Sequence, residues 1–119
     1  MKILHINQSD ISGGAAIAGY RLHHGLLQEG LDSSVLVRNA ETKDERIALI
    51  PRFEKLENLI FRLTWRLGLN FIHHIGSFKT LNHRFFCDAD ILNFHNLHSS
   101  TFSYLAISAL TKTKPAVFT

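Results

Sequence analysis

The stretch MKILHINQSDISGGAAIAGYRLHHGL, residues 1–26, decides the fold. Its first part, Lys2 to Asn7, is short and largely apolar, as expected of a strand buried on both faces of a parallel sheet. Residues 8–14 are a polar loop that ends in Ser12-Gly13-Gly14. A helix is expected to start near Gly13 or Gly14, with Ser12 as its N-cap. Ala15, Ala18, Leu22 and Leu26 recur at helical spacing. The small residues Ala15, Ala16, Ala18 and Gly19 let the first turns lie close against a sheet, and Gly30 stands where a C-cap is wanted.

Working outward, residues 34–38 (Ser-Val-Leu-Val-Arg) read as a second strand. Strand, helix and strand in this order make a βαβ unit with parallel strands and a right-handed crossover. Residues 40–46 are a charged surface loop, and Ile47 to Ile50 form a short third strand ended by Pro51. Phe53, Leu56, Ile60, Leu63 and Leu67 predict a helix over residues 53–67. From Phe71 to Gly76 no period is legible. Residues 89–95 read as a strand and Asn96 to Ser100 as a polar loop. A helix capped by Ser100 or Thr101 then runs to about Thr111, and residues 116–119 begin another strand. This alternation specifies an α/β fold: one Rossmann-like, three-layer domain with a mostly parallel sheet. Ligands of such sheets bind beyond the carboxyl ends of the strands, which singles out the loops at 8–14, 39–46 and 96–100.

The chain has 119 residues, 45% apolar and 19% charged, with a formal charge of +3, which fits one globular domain. It has no arginine-rich stripe with interleaved aromatics, so no nucleic-acid partner is expected. The single Cys87 excludes an internal disulfide and is expected to be a buried, inert thiol. The N-terminal apolar run is too short for a signal peptide, and nothing approaches the ~20 apolar residues of a membrane span. A cytoplasmic protein is expected, with at most a peripheral place on the inner face of the cell membrane.

Ser12, Gly13 and Gly14 are the best-placed candidate site. Two glycines let a ligand approach the main chain closely, and the first amides of the following helix favour an anion such as a phosphate. The plainer alternative is a tight turn with no ligand. With Ala15 next and the following glycine at Gly19, the loop is neither the Gly-x-Gly-x-x-Gly dinucleotide fingerprint nor a Walker A loop. Arg38 and Asn39 stand where a dinucleotide-binding oxidoreductase would end its second strand in an acidic residue.

His95 and Asn96, at a strand's carboxyl end, can hydrogen-bond acceptor hydroxyls. The other histidines, among them the pairs His23-His24 and His73-His74, read as scattered surface and strand-end groups. With one cysteine and no His-Glu-x-x-His, no metal site is expected. Asp10, Asp32, Asp88 and Asp90 offer no acid–base pair, and the last two are expected to be structural. The helix at 53–67 carries Arg52, Lys55, Arg62 and Arg66 beside Phe53, Leu59, Phe61 and Trp65. Such a helix can lie in a membrane interface. The competing expectation, favoured by the apolar stripe and by Glu54 and Glu57, is that it packs on the sheet.

The run at residues 1–26 resembles the opening of GT-B-fold glycosyltransferases, glycosyltransferase family 4 in particular. These begin with a strand, a Gly-Gly loop and a helix of the type Ala-Ala-x-Ala-x-Tyr-Arg-Leu-x-x-Gly-Leu. Asp88-Ala-Asp-Ile-Leu-Asn-Phe-His95 is similar to a later strand of that family. Lys114-Pro-Ala-Val-Phe-Thr119 is similar to the strand that leads into its His-Asp motif. The resemblance covers residues 1–38 and 88–119 and leaves 40–87 without a counterpart. It implies the acceptor-side domain of a two-domain enzyme, truncated before its donor-binding domain. The implied enzyme moves a sugar from a nucleotide-diphosphate sugar to a hydroxyl on a polysaccharide or lipid-linked glycan. Gly13 and Gly14 would reach toward the donor diphosphate. Backbone amides and basic side chains would take the role of a metal, so no cofactor is implied, and the fragment alone would be inactive. The rival expectation is a small, non-catalytic α/β domain that uses the same loop to bind an anion or a partner.

Overall fold

A computed structural model describes residues 1–97 and 102–119. In chain order the elements are β1 (Lys2–Ser9), α1 (Gly14–Gln28), β2 (Asp32–Asn39), β3 (Ile47–Leu49), α2 (Glu54–Arg66), a 3-10 helix (Ile75–Asn82), α3 (Arg84–Asp88), β4 (Ile91–Phe94), α4 (Tyr104–Thr111) and β5 (Ala116–Phe118). The five strands form one sheet in the order β3-β2-β1-β4-β5, and every pairing is parallel. The fold is α/β and Rossmann-like, as the alternation predicts. No helix among the described residues is long and apolar enough to cross a membrane.

Side chains alternate across a strand, so β1 divides its residues between two layers. Leu4 and Ile6 join Leu36, Leu92, Phe94, Phe86, Phe102, Ala106 and Leu110 in the apolar core beneath α3 and α4. His5, Asn7 and Ser9 point to the other face, which α1 covers, and they too are buried. Gly19 of α1 sits so close to the sheet that an added Cβ would lie 2.9 Å from Asn7 Nδ2 and 3.7 Å from His95 Cγ.

That close approach corrects the reading of α1. The buried residues are Ala16, Gly19 and His23, while Ala15, Ala18 and Leu22 of the expected stripe are exposed. Periodicity fits both registers, and contact went to the one whose small residues let the helix sit low. The N-cap is Gly13, at φ 94° and ψ 163°, not Ser12. This backbone region is open essentially to glycine alone. At the other end the Gly30 amide donates to Leu27 O and the Leu31 amide to Leu26 O, a Schellman closure with Gly30 at φ 79°.

Three further expectations fail. The apolar stripe of α2 does not pack on the sheet: Glu57 is the helix's one buried residue. Cys87 is exposed, with Sγ 3.7 Å from Leu81 O. The stretch from Phe71 to Gly76, where no period is legible, leads into the 3-10 helix, and α3 follows it. The helix expected from Ser100 or Thr101 starts at Tyr104 with Ser103 as N-cap. Ser100 and Thr101 lie outside the described residues. The chain before the 3-10 helix supplies α4 with a partner, since the Tyr104 amide donates to Phe71 O at 3.0 Å.

Candidate functional site at the sheet's switch point

Strand order reverses between β1 and β4, so a crevice opens beyond the carboxyl ends of those two strands. The loop after β1 carries Ser12, Gly13 and Gly14, and β4 is followed by His95 and Asn96. Both candidate segments therefore follow the two strands at which the order reverses. Ser12, Gly13 and Gly14 are exposed, and a Cβ added at either glycine meets nothing within 4 Å. The first turn of α1 carries no acidic residue to compete for its free amides. Asn96 is half-buried at φ 41°. His95 is 6% exposed and lies beneath α1 rather than in the loop. His98 falls outside the described residues.

Asp10, read from the sequence only as a carboxylate without an acid–base partner, organises the rim. Its carboxylate is 2% exposed. Oδ1 accepts from the Ile11 amide at 2.9 Å, the Glu41 amide at 3.1 Å and Ser9 Oγ at 3.3 Å. Oδ2 accepts from the Glu41 amide at 3.0 Å, the Thr42 amide at 2.8 Å and Thr42 Oγ1 at 2.6 Å. Burial alone would raise its pKa. The Thr42 hydroxyl and the Thr42, Glu41 and Ile11 amides outweigh burial and hold it below the usual carboxylate range. One anion thus ties the loop after β1 to the loop after β2.

Beneath α1 lies a connected set of imidazoles, contrary to the expectation of scattered histidines. His5 Nδ1 and His95 Nε2 are 2.9 Å apart, with their rings stacked at 5.1 Å. His23, fully buried, has Nδ1 2.7 Å from Ser33 Oγ, and its ring stands edge-on to His5 at 6.2 Å. Burial lowers all three pKa values, His5 to about 3 with the further repulsion of His95 and His23. The rings are therefore neutral near pH 7, and the His5–His95 pair shares one proton. His5 Nε2 and His23 Nε2 have no hydrogen-bond partner among the described residues.

At the edge of this set, single ligand atoms of His23, His24 and Asp44 lie within 4.8 Å of one another, a grouping that could hold a metal ion. Consecutive helical positions diverge by about 100°, which works against a shared ion, and Arg46 adds positive charge beside His23. A second buried polar cluster sits past the end of β2. Glu57 Oε1 accepts from the Gly76 amide at 2.9 Å, and Oε2 lies 3.5 Å from His74 Nδ1 and 3.8 Å from Arg52 Nε. Arg38 Nη1 approaches the same His74 nitrogen at 3.4 Å. Burial, with His73 and Arg38 alongside, lowers His74 to about 4. At the opposite end of the sheet, Asp90 accepts from the Lys2 amide at 2.8 Å, and Asp32 pairs with Arg46.

The imidazole set has one legible signal. His5, Asn7 and Ser9 share the parity of Ser33 in the parallel register, where Ile3 pairs with Ser33. Polar residues alternating with Leu4 and Ile6 in a central strand mark a polar buried face. No protein-family model, curated protein or solved structure matches this chain.

Proposed function

We propose that the chain is the acceptor-side Rossmann-like domain of a GT-B glycosyltransferase, transferring a sugar from a nucleotide-diphosphate sugar to a hydroxyl of a polysaccharide or lipid-linked glycan. The observation that carries the reading is that the glycine loop and His95-Asn96 follow the two neighbouring strands at which the sheet order reverses. The resemblance of residues 1–38 and 88–119 to family 4 supports it. Free amides at Gly14 and after would face the donor diphosphate, and Asn96, with His95 beneath it, would border the acceptor hydroxyl. On this reading a second domain holds the nucleotide, and residues 1–119 by themselves are expected to transfer nothing.

The test is a titration of the isotope-labelled chain with nucleotide-diphosphate sugars and with inorganic pyrophosphate, read by amide NMR, beside a transfer assay. Weak shifts confined to residues 12–16 and 96, without turnover, are expected. Sugar transfer by the chain alone would overturn the acceptor-side assignment, and silence at Gly13 and Gly14 would remove the diphosphate role. The second reading, a non-catalytic anion-binding domain, rests on the same open amides and predicts that pyrophosphate shifts them as strongly as any nucleotide sugar does.

A further inference from the structure

The helix α2 is 13 residues long, about 20 Å, and is attached along one side only. Glu57 fastens that side to Gly76 and His74, and Phe61 packs against His73 with ring centroids 4.8 Å apart. The opposite side is bare: Leu56 is 48% exposed, Leu59 55%, Leu63 62% and Leu67 73%. At 3.6 residues per turn these four leucines fall within about 80° of arc, and Lys55, Arg62 and Arg66 occupy about 40° immediately beside them. Glu54 lies on the far side, next to Arg52 at 3.3 Å. An apolar stripe with cations along its flank and the anions turned away is the arrangement of a helix lying in a lipid interface.

We propose that α2 docks the protein on an anionic lipid surface, with Leu56, Leu59, Leu63 and Leu67 at the acyl boundary and Lys55, Arg62 and Arg66 among the headgroups. The charge pattern selects this occupant. In a second copy meeting the stripe by two-fold symmetry, an antiparallel contact would set the three cations of one helix close to those of the other. A parallel one would set them against Ile60 and Thr64, which offer no counter-charge. Anionic headgroups neutralise the same three cations, each contributing through the negative surface potential.

The experiment is co-sedimentation of the whole chain with vesicles of phosphatidylcholine alone and of phosphatidylcholine with an equal part of phosphatidylglycerol. Binding to the anionic vesicles at low salt, and its loss at high salt, is expected. Arg62→Gln with Arg66→Gln should lower partitioning about thirtyfold, and Leu63→Glu at least about tenfold. All three side chains are exposed, so unchanged thermal melting confirms that the variants fold. Absence of binding, equal binding to the neutral vesicles, or indifference to these substitutions would each overturn the proposal. So would self-association that Leu63→Glu abolishes in place of vesicle binding. The transferase reading is independent of this outcome, because its readout is at residues 12–16 and 96.

Discussion

On one face of the sheet Leu4, Ile6, Leu36, Leu92 and Phe94 meet α3 and α4 in a dry core. On the other, the same three strands present His5, Asn7, Ser33 and Asn93, and α1 covers the region with Ala16, Gly19 and His23. The first face is what burial of apolar area maintains. The second contains ring nitrogens without partners, which cost stability. The switch-point crevice opens where this polar face ends. The two sides of one sheet thus differ in content: one is an apolar core, and the other buries polar groups among Ile3, Val35 and Val37 against α1.

The largest effect that tests this division is Phe94→Ala. Phe94 is 1% exposed and packs against Phe102 and Phe118, so denaturant unfolding should show a loss of about 3–5 kcal/mol. Next is Asp10→Asn, which turns a donor toward the Glu41 or Thr42 amide. A loss of about 2–3 kcal/mol is expected, and a smaller one would demote Asp10 from its place at the rim.

Third is the response to acid. His5 has a folded pKa of about 3 against 6.5 unfolded. The unfolded chain therefore binds the extra proton between those values, and stability is complete above pH 6.5 and lost as pH falls toward 3. By pH 5 His5 alone removes about 2 kcal/mol; His74, at about 4, acts in the same direction. Melting temperatures measured from pH 7.5 to pH 5 check this. Flat values would mean that the imidazoles are not dry. The double variant His5→Leu with His95→Leu sharpens the point, because removing both partners together should change stability at pH 7 by no more than about 1.5 kcal/mol and weaken the acid response.

The smallest effect is the most diagnostic. Gly14→Ala should leave stability within about 0.5 kcal/mol, since its site is open and its φ ordinary. Gly13→Ala should cost about 1–3 kcal/mol for its backbone conformation. Loss of pyrophosphate shifts in the stable Gly14→Ala variant would show that a ligand needs the bare backbone.

The apolar face was legible because it consists of local patterns: the runs at β1 and β2, the alternation of element types and the glycine that closes α1. The polar face was not, because its content is pairing over long sequence distances. His5 reaches His95, and Asp10 reaches Thr42. No window along the chain contains such pairs. The stripe of α2 was read correctly as a stripe, but periodicity does not say what covers it. The stretch from Phe71 to Gly76 lacked a period because it works as a bracket, giving a carbonyl to α4 and an amide to Glu57.

The carboxylate of Asp10 has one consequence for motion. It accepts from amides in two loops separated by some thirty positions along the chain, so neither loop can open without breaking bonds that hold the other. The two should behave as one cooperative opening unit. The Ile11, Glu41 and Thr42 amides would then exchange with solvent deuterium at a common rate. A molecule resting on Gly13 would slow exchange at Thr42 without touching it.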